Sequence, residues 1–445
     1  MAPTTVITIG IDFGATSSSA AYTLANDNDN GNNNKNTPSP TIQVLTKYPK
    51  PIQWSFDNLP RAPDTIQSIV YYDITNVAAL GWSPGEDGER EEIVSAQGNL
   101  KSGVLVTPGF KSRLFPPDDD ADVDPEGKNR SGLLVCDKSV DDITADFLRC
   151  FRRSVLLQVG MGHEVGGGNV RFVITVPAFW DDEKRTRFKE IARMAGFEDS
   201  NEEKLHFISG PEAALFHADS LTPSTFHIGD SILVLDCGGH IVETTIYEIK
   251  SKAPLNLERQ TTVSVASYGS SEVTRRFMRI ANTKIDKVGF PPRGRTKPRM
   301  RYRCKRAFEK DILVGLTDNK NTSFPLPLEV PSGFWVADLH IETDCPEADL
   351  IEGYMFFSED EIYPCFDAVV ARTLELVADQ VAAMRGQGKQ VQGCLLVGGF
   401  NRCVYYSRKI QAGIEALGLV VLRSGSDSGG VAKGAVLAGV DGFTN

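Results

Sequence analysis

Two short stretches of this chain hold the residue types that phosphate and metal chemistry requires. In the first, Asp12 is followed by Gly14, Ala15 and Thr16; in the second, Asp236 is followed by Gly238, Gly239 and His240. Glycine turns let backbone N–H groups converge on phosphate oxygens. Magnesium on a triphosphate takes carboxylates directly or through ordered water. Two such turns facing one another would clamp a polyphosphate from both sides. Either turn alone is an ordinary hairpin connection; their recurrence favours a ligand site. Gly398-Gly399 follows an apolar strand and precedes a helix, where a ligand can approach the backbone of an open α/β sheet. A plain strand–helix connection explains that pair equally well. The small-residue loop 424–430 fits packing beside a sugar or base, or simple exposure to solvent.

The elements that must position these turns recur as a set. Segments 6–22 and 231–247 each read as strand, Asp-x-Gly turn, strand. The β-branched run 170–176 leads to a helical pattern at 181–195, and 394–397 leads to one at 404–417. A second strand–helix pair follows each: 205–208 with 211–219, and 419–422 with 431–440. Hairpin, strand–helix, strand–helix, twice in one chain, predicts a duplicated α/β domain. Two mostly parallel sheets flanked by helices would face each other across a cleft, with lobes at 1–229 and 230–422 and a final segment 423–445. Between these elements, 26–36 and 118–130 read as disordered or charged loops, and the basic run 293–306 as an exposed loop entering a helix. Segment 324–357 suggests irregular strands, and 364–385 a helix leading to the strand at 394.

Composition narrows the partners. With 41% hydrophobic and 24% charged residues and a formal net charge of -11, neither nucleic acid nor an anionic membrane is expected as the main partner. No apolar run approaches the roughly 20 residues that span a bilayer, and the N-terminus reads as a strand rather than a leader. The eight cysteines are scattered without a C-x-x-C pair, so free thiols and a cytoplasmic setting are expected.

Six segments in order carry a resemblance: I-G-I-D-F-G-A-T at 9–16, V-I-T-V-P-A-F-W at 173–180, I-S-G-P-E-A-A-L at 208–215, L-D-C-G-G at 235–239, L-L-V-G-G-F at 395–400 and G-V-A-K-G-A-V at 430–436. The chain resembles the nucleotide-binding domain of the heat shock 70 kDa family, within the actin-like ATPase superfamily, and especially its divergent eukaryotic and fungal relatives. That resemblance implies an actin-like ATPase fold, a duplicated ribonuclease H-like pair, binding ATP or ADP with Mg2+ in the cleft. It also implies that Asp12 and Asp236 act on the magnesium-bound phosphates, holding the metal through water. Gly14, Ala15, Thr16, Gly238, Gly239, His240 and Gly269 would lie near the phosphates. Gly398, Gly399 and Phe400 would lie against adenosine, and Lys310, in the helical stretch 302–313, near the base or ribose. The final helix would return to the first lobe. The peptide-binding domain that follows in full chaperones has no counterpart before Asn445.

Departures from the family pattern bear on turnover. Ala15 replaces a Thr, His240 and Ile241 replace Gly and Thr, Gly210 replaces a Glu, and Asp311 falls where an adenine-stacking arginine is expected. The catalytic lysine expected around 81–92 is missing, leaving Lys101 and Lys111 as the nearest candidates. Phosphoryl transfer depends on positioning and charge stabilisation, so these losses predict weak or absent hydrolysis with binding retained. His240 could contact a phosphate or act as a base, but reads better as a surface-turn imidazole partly filling the site. The expected function is therefore a nucleotide-dependent conformational switch, monomeric and read by a protein partner. An active ATPase, a sugar-kinase-like phosphotransferase and a scaffold that no longer binds nucleotide are the alternatives. Asp181 and Asp182 could supply the kinase base, though helix capping suits them better.

Overall fold

A computed structural model describes residues 5–26, 42–45, 66–73, 78–79, 104–108, 110–114, 138–160, 169–198, 203–289, 296–316, 334–338, 344–351, 354–423 and 429–441. It is a mixed α/β architecture, compatible with an actin-like ATPase fold. The labelled elements are β1 (Thr5–Asp12), β2 (Ser17–Asn26), α1 (Lys111–Leu114), α2 (Val140–Val159), β3 (Asn169–Val176), α3 (Asp182–Met194), β4 (Glu203–Ser209) and α4 (Gly210–Leu221). They continue with β5 (Ser231–Cys237), β6 (Val242–Lys252), β7 (Leu255–Arg259), α5 (Ser270–Lys287), α6 (Thr296–Ala307), α7 (Glu359–Gly386), β8 (Gly393–Val397), α8 (Val404–Ala416), β9 (Val420–Arg423) and α9 (Gly430–Asp441).

Two six-stranded sheets share one strand order. The first runs Gln43–Val44, β2, β1, β3, β4, with Ile66–Gln67 also pairing β2; the second runs β7, β6, β5, β8, β9, with Ser264–Ala266 also pairing β6. In each, the Asp-x-Gly hairpin is antiparallel and the next two strands are parallel. β1 and β5 are thus central strands paired on both sides, which suits their β-branched and Leu-rich sequences.

The faces of the first sheet differ in what they can accept. Ile9, Ile11, Phe172 and Ile174 enter a core with Phe13, Phe110, Phe147 and Phe188. Phe13 stacks at 5.7 Å on Phe147 and 5.8 Å on Phe188. The opposite face carries Gly10 paired with Ala21, because α9 lies directly on it. A Cβ on Gly10 would collide with the Ala432 carbonyl, and one on Gly434 with the Ala213 carbonyl of α4. Helix α4 joins both halves: Ala214, Leu215 and Ala218 pack on Ile232, Val234 and Leu395 of the second sheet, while Ala213 packs with Ala435, Ala438 and Val173. The other face of the second sheet, with Leu233, Leu235 and Cys237, is covered by α5, α7 and α8.

Several boundaries differ from the sequence expectations. Helix α6 begins at Thr296 and contains Pro298, which its first turn tolerates because those N–H groups have no helical partner. Helix α7 begins at Glu359, with a Ser358–Glu361 capping box, and carries Pro364 inside it rather than starting there. Of 324–357, the structure describes two strands in full, Phe334–Asp338 and Leu350–Ile351, and most of a third, Tyr354–Ser358. Segments 27–36, 118–130 and 424–428 lie outside the described residues.

Candidate functional site

The ends of β1 and β5 open on one cavity of about 450 Å³, lined from both sheets. Asp12 sits where β1 ends. Its Oδ1 accepts a hydrogen bond from the Thr175 hydroxyl of β3 at 3.0 Å, and the same hydroxyl accepts the Phe13 N–H at 3.2 Å. Asp236 occupies the corresponding place on β5. Gly398 lies against it with φ of 91°, a backbone that favours glycine, and a Cβ there would strike both the Asp236 carboxylate and the Cys237 carbonyl.

Two ionisable groups complete the cavity floor. Glu243 of β6 stands directly across the ladder from Asp236, and its Oε2 accepts the Ala178 N–H at 3.1 Å. Lys111 of α1 reaches in from a distant part of the chain, donating to the Phe13 carbonyl with its ammonium 4.6 Å from the Phe13 ring. Burial pushes the Asp12 carboxyl up, opposed by Lys111 and the Thr175 hydrogen bond. Burial and then the Asp12 charge push Asp236 up to about 6, opposed by Lys111. Burial and the Asp236 charge push Glu243 up to about 8, opposed mainly by the Ala178 N–H and Lys111. Burial lowers Lys111, opposed by Asp12, Glu243 and Asp236. Three carboxyls against one ammonium is an arrangement whose charge a divalent cation would balance. Carboxylate oxygens are the hard donors that magnesium takes. Among the described residues, no group of three His, Cys, Asp or Glu is arranged to hold an ion by itself, so a magnesium ion here would rely on water or ligand oxygens for its remaining contacts.

The two turns are held by their own hydrogen bonds. The Gly14 carbonyl accepts the Ser68 hydroxyl at 2.7 Å, and Ser68 N–H donates to the Thr16 carbonyl at 3.0 Å. Gly238 N–H donates to the Ile241 carbonyl at 2.9 Å, and Ser271 N–H donates to the Gly239 carbonyl at 2.8 Å. Gly14, Ala15, Thr16, Gly238, Gly239 and His240 all line the cavity. Gly239 and the Thr16 hydroxyl are in contact, so the turns meet across it. Gly269 stands behind the second turn rather than at the cavity wall: its N–H donates to the His240 carbonyl at 3.2 Å, and its neighbour Ser270 lines the space.

On the far side, Gly398, Gly399 and Phe400 form part of the wall. Phe400 is buried and stacked at 3.8 Å on Tyr406. The side chain of Lys310 lies outside what the structure describes; the cavity is lined there by Glu309 and Leu313. Phe308, Ile312 and Leu316 are buried at helical spacing, which turns residues 309 and 313 to the neighbouring face. That periodicity was the signal for Glu309. Glu243 had a weaker one, an acid in the otherwise apolar and hydroxylic strand V-E-T-T-I-Y.

His240 is not the surface imidazole that its turn position suggests. It lines the cavity, and its Nδ1 is buried without a hydrogen-bond partner among the described residues. Burial, and then the charges of Arg113 and Lys305, lower its pKa. Gly210 also lines the cavity, beside the Asp236 carboxylate. Lys111 is in the site, whereas Lys101 and segment 81–92 lie outside the described residues. Asp181 caps α3, accepting the Lys184 N–H at 2.9 Å, and neither it nor Asp182 is among the cavity-lining residues.

No family model matches the chain. Among curated proteins it is similar to the chaperone protein HscA homolog of Chromobacterium violaceum, 26% identical over 191 residues. The match covers 41% of this chain and 27% of that protein. This partial likeness to a bacterial chaperone is compatible with a distant relation to the heat shock 70 kDa superfamily and does not bear on the fungal relatives. Among the described residues, no helix is long and apolar enough to cross a membrane.

Proposed function

We propose that the chain is a nucleotide-dependent switch of the actin-like ATPase fold, in which lobes 1–229 and 230–422 close on ATP or ADP with magnesium, and 423–445 completes the first lobe. One observation carries the reading: the same Asp-x-Gly turn ends the central strand of two sheets of identical order, and both turns reach one cavity. Asp12 and Asp236 would hold the metal through water, and bound magnesium would neutralise phosphate charge. The glycine turns would direct backbone N–H groups at the phosphates, while Gly398, Gly399 and Phe400, with Glu309 and Leu313, would form the wall for adenosine. Helix α4, packed on both sheets, is the element through which a change in lobe angle would pass to a protein partner.

The weak-turnover reading rests on Ile241, which has no hydroxyl to offer a terminal phosphate, and on Gly210, which supplies no carboxylate. The placement of Lys111 favours a second reading, an active ATPase, because it restores a cation to the phosphate side of the cavity. Calorimetric titration with ATP, with and without magnesium, tests the first claim. Metal-dependent binding that Asp12→Ala abolishes is expected; no binding well above cellular ATP concentrations would overturn it. Phosphate release abolished by Lys111→Met would select the ATPase over the switch without turnover.

A further inference from the structure

His240 is the residue by which the second turn departs most from what a phosphate loop needs, since a large ring stands where a small residue suffices. Its backbone is built into the fold, with its carbonyl accepting the Gly269 N–H at 3.2 Å. Its ring is not: Nδ1 is buried, lines no internal bond among the described residues, and belongs to the wall of the cavity. A buried nitrogen left unpaired is costly and calls for an explanation.

The surroundings of the ring are cationic. Burial first, and then the charges of Arg113 of α1 and Lys305 of α6, disfavour the imidazolium, so the neutral ring is the favoured form and two cations lie near it. Lys305 is only loosely countered, by Glu309 at 3.8 Å. A neutral imidazole has one N–H to donate, and in this field its best partner is an anionic oxygen. Gly239, next in the chain to His240, lies against the Thr16 hydroxyl, so both turns and the ring reach the same part of the cavity.

We propose that His240 reads the terminal phosphate of a nucleoside triphosphate, donating a hydrogen bond to it from the wall between the two turns and so setting the preference for triphosphate over diphosphate. This rests on the nucleotide reading above. Arg113 and Lys305 add attraction for the same phosphate without needing to touch it. The ring serves as a specificity residue and not as a general base, because among the described residues no carboxylate bonds to its Nδ1 to orient it.

The test is calorimetric titration of the full chain with Mg-ATP and with Mg-ADP, using wild type, His240→Ala and His240→Asn. Asparagine places an amide N–H close to the position of Nδ1. We expect His240→Ala to lose about ten-fold or more in ATP affinity, the range for a hydrogen bond to a charged group, with ADP affinity within about two-fold. His240→Asn should recover most of the loss. Unchanged or improved ATP affinity in His240→Ala overturns the proposal and makes the ring an obstruction. Parallel loss of ATP and ADP overturns it as well, and assigns His240 to turn shape. In both cases ADP binding by the wild type leaves the nucleotide reading standing; no binding of either nucleotide by the wild type overturns both.

Discussion

Replacing Glu243 by glutamine should flatten the pH dependence of the ligand-free protein's stability. Its carboxyl is raised from 4.5 to about 8 by burial and by the Asp236 charge. In the unfolded chain it ionises at the ordinary value, so between these two pH values the folded state binds more protons than the unfolded state. Stability is then fully present below pH ~4.5 and falls as pH rises toward ~8. Between pH 6 and pH 9 the difference amounts to about 3 kcal/mol at about 1.4 kcal/mol per pH unit of unmatched titration. An unfolding entropy of roughly 2.1 cal/mol/K per residue gives about 0.9 kcal/mol/K for this chain, hence a Tm lower by about 3 °C at pH 9 than at pH 6 from this group. Glutamine is neutral throughout and keeps an acceptor for the Ala178 N–H. Thermal unfolding of wild type and Glu243→Gln, followed by circular dichroism at pH 6, 7.5 and 9 in chelator without nucleotide, reads the difference between the two slopes. Parallel slopes, or a variant steeper than the wild type, would refute the account of a neutral buried carboxyl.

Three further outcomes follow from the same geometry. Lys111→Met should weaken Mg-ATP binding by about ten-fold or more by calorimetry, as expected when a charged donor leaves a buried phosphate site. Gly434→Ala drives a Cβ into the Ala213 carbonyl between α9 and α4, and should cost about 1–3 kcal/mol by overpacking, seen as a lower Tm with the cleft residues intact. Asp181→Ala removes the cap of α3 and an exposed ion pair with Lys184, so thermal stability should fall slightly while ATP affinity stays unchanged; a lost activity would revive the reading of Asp181 as a catalytic base.

What could be read from sequence was what is local. The hairpins at Asp12 and Asp236 announce themselves, because apolar runs interrupted by Asp-x-Gly have few other ways to fold. The strand–helix pairs follow from period and length alone. Pro298 and Pro364 misled because a proline signals a helix boundary, while tertiary packing can carry a helix past it. The cavity floor was the harder part. Lys111 lies in F-K-S-R-L, which has no pattern of its own, and reaches Phe13 only because α1 docks beside the Phe13–Phe110–Phe147 cluster. Glu243 faces Asp236 through strand register, which requires knowing where the turn pivots. Glu309 lines the cavity from a segment with an irregular turn at Phe308–Ile312, whose helical phase a regular period does not fully anticipate.

The late arrival of α9 shapes how the protein is made. The small-residue face of the first sheet, with Gly10 and Ala21, is covered by a helix that begins at Gly430. At about 5–20 residues per second, the ribosome takes roughly 20–80 s to deliver that cover after β1 has emerged. Throughout that time the first half of the nascent chain carries an unfinished surface. Gly10, Ala21 and Thr8 hold part of it because nothing larger than Gly10 fits beneath α9, while Val173 and Ile208 hold the apolar part that the helix later buries. The close helix–sheet approach that demands small residues in the finished fold thus also limits, at Gly10 and Ala21, the apolar area left waiting for its cover.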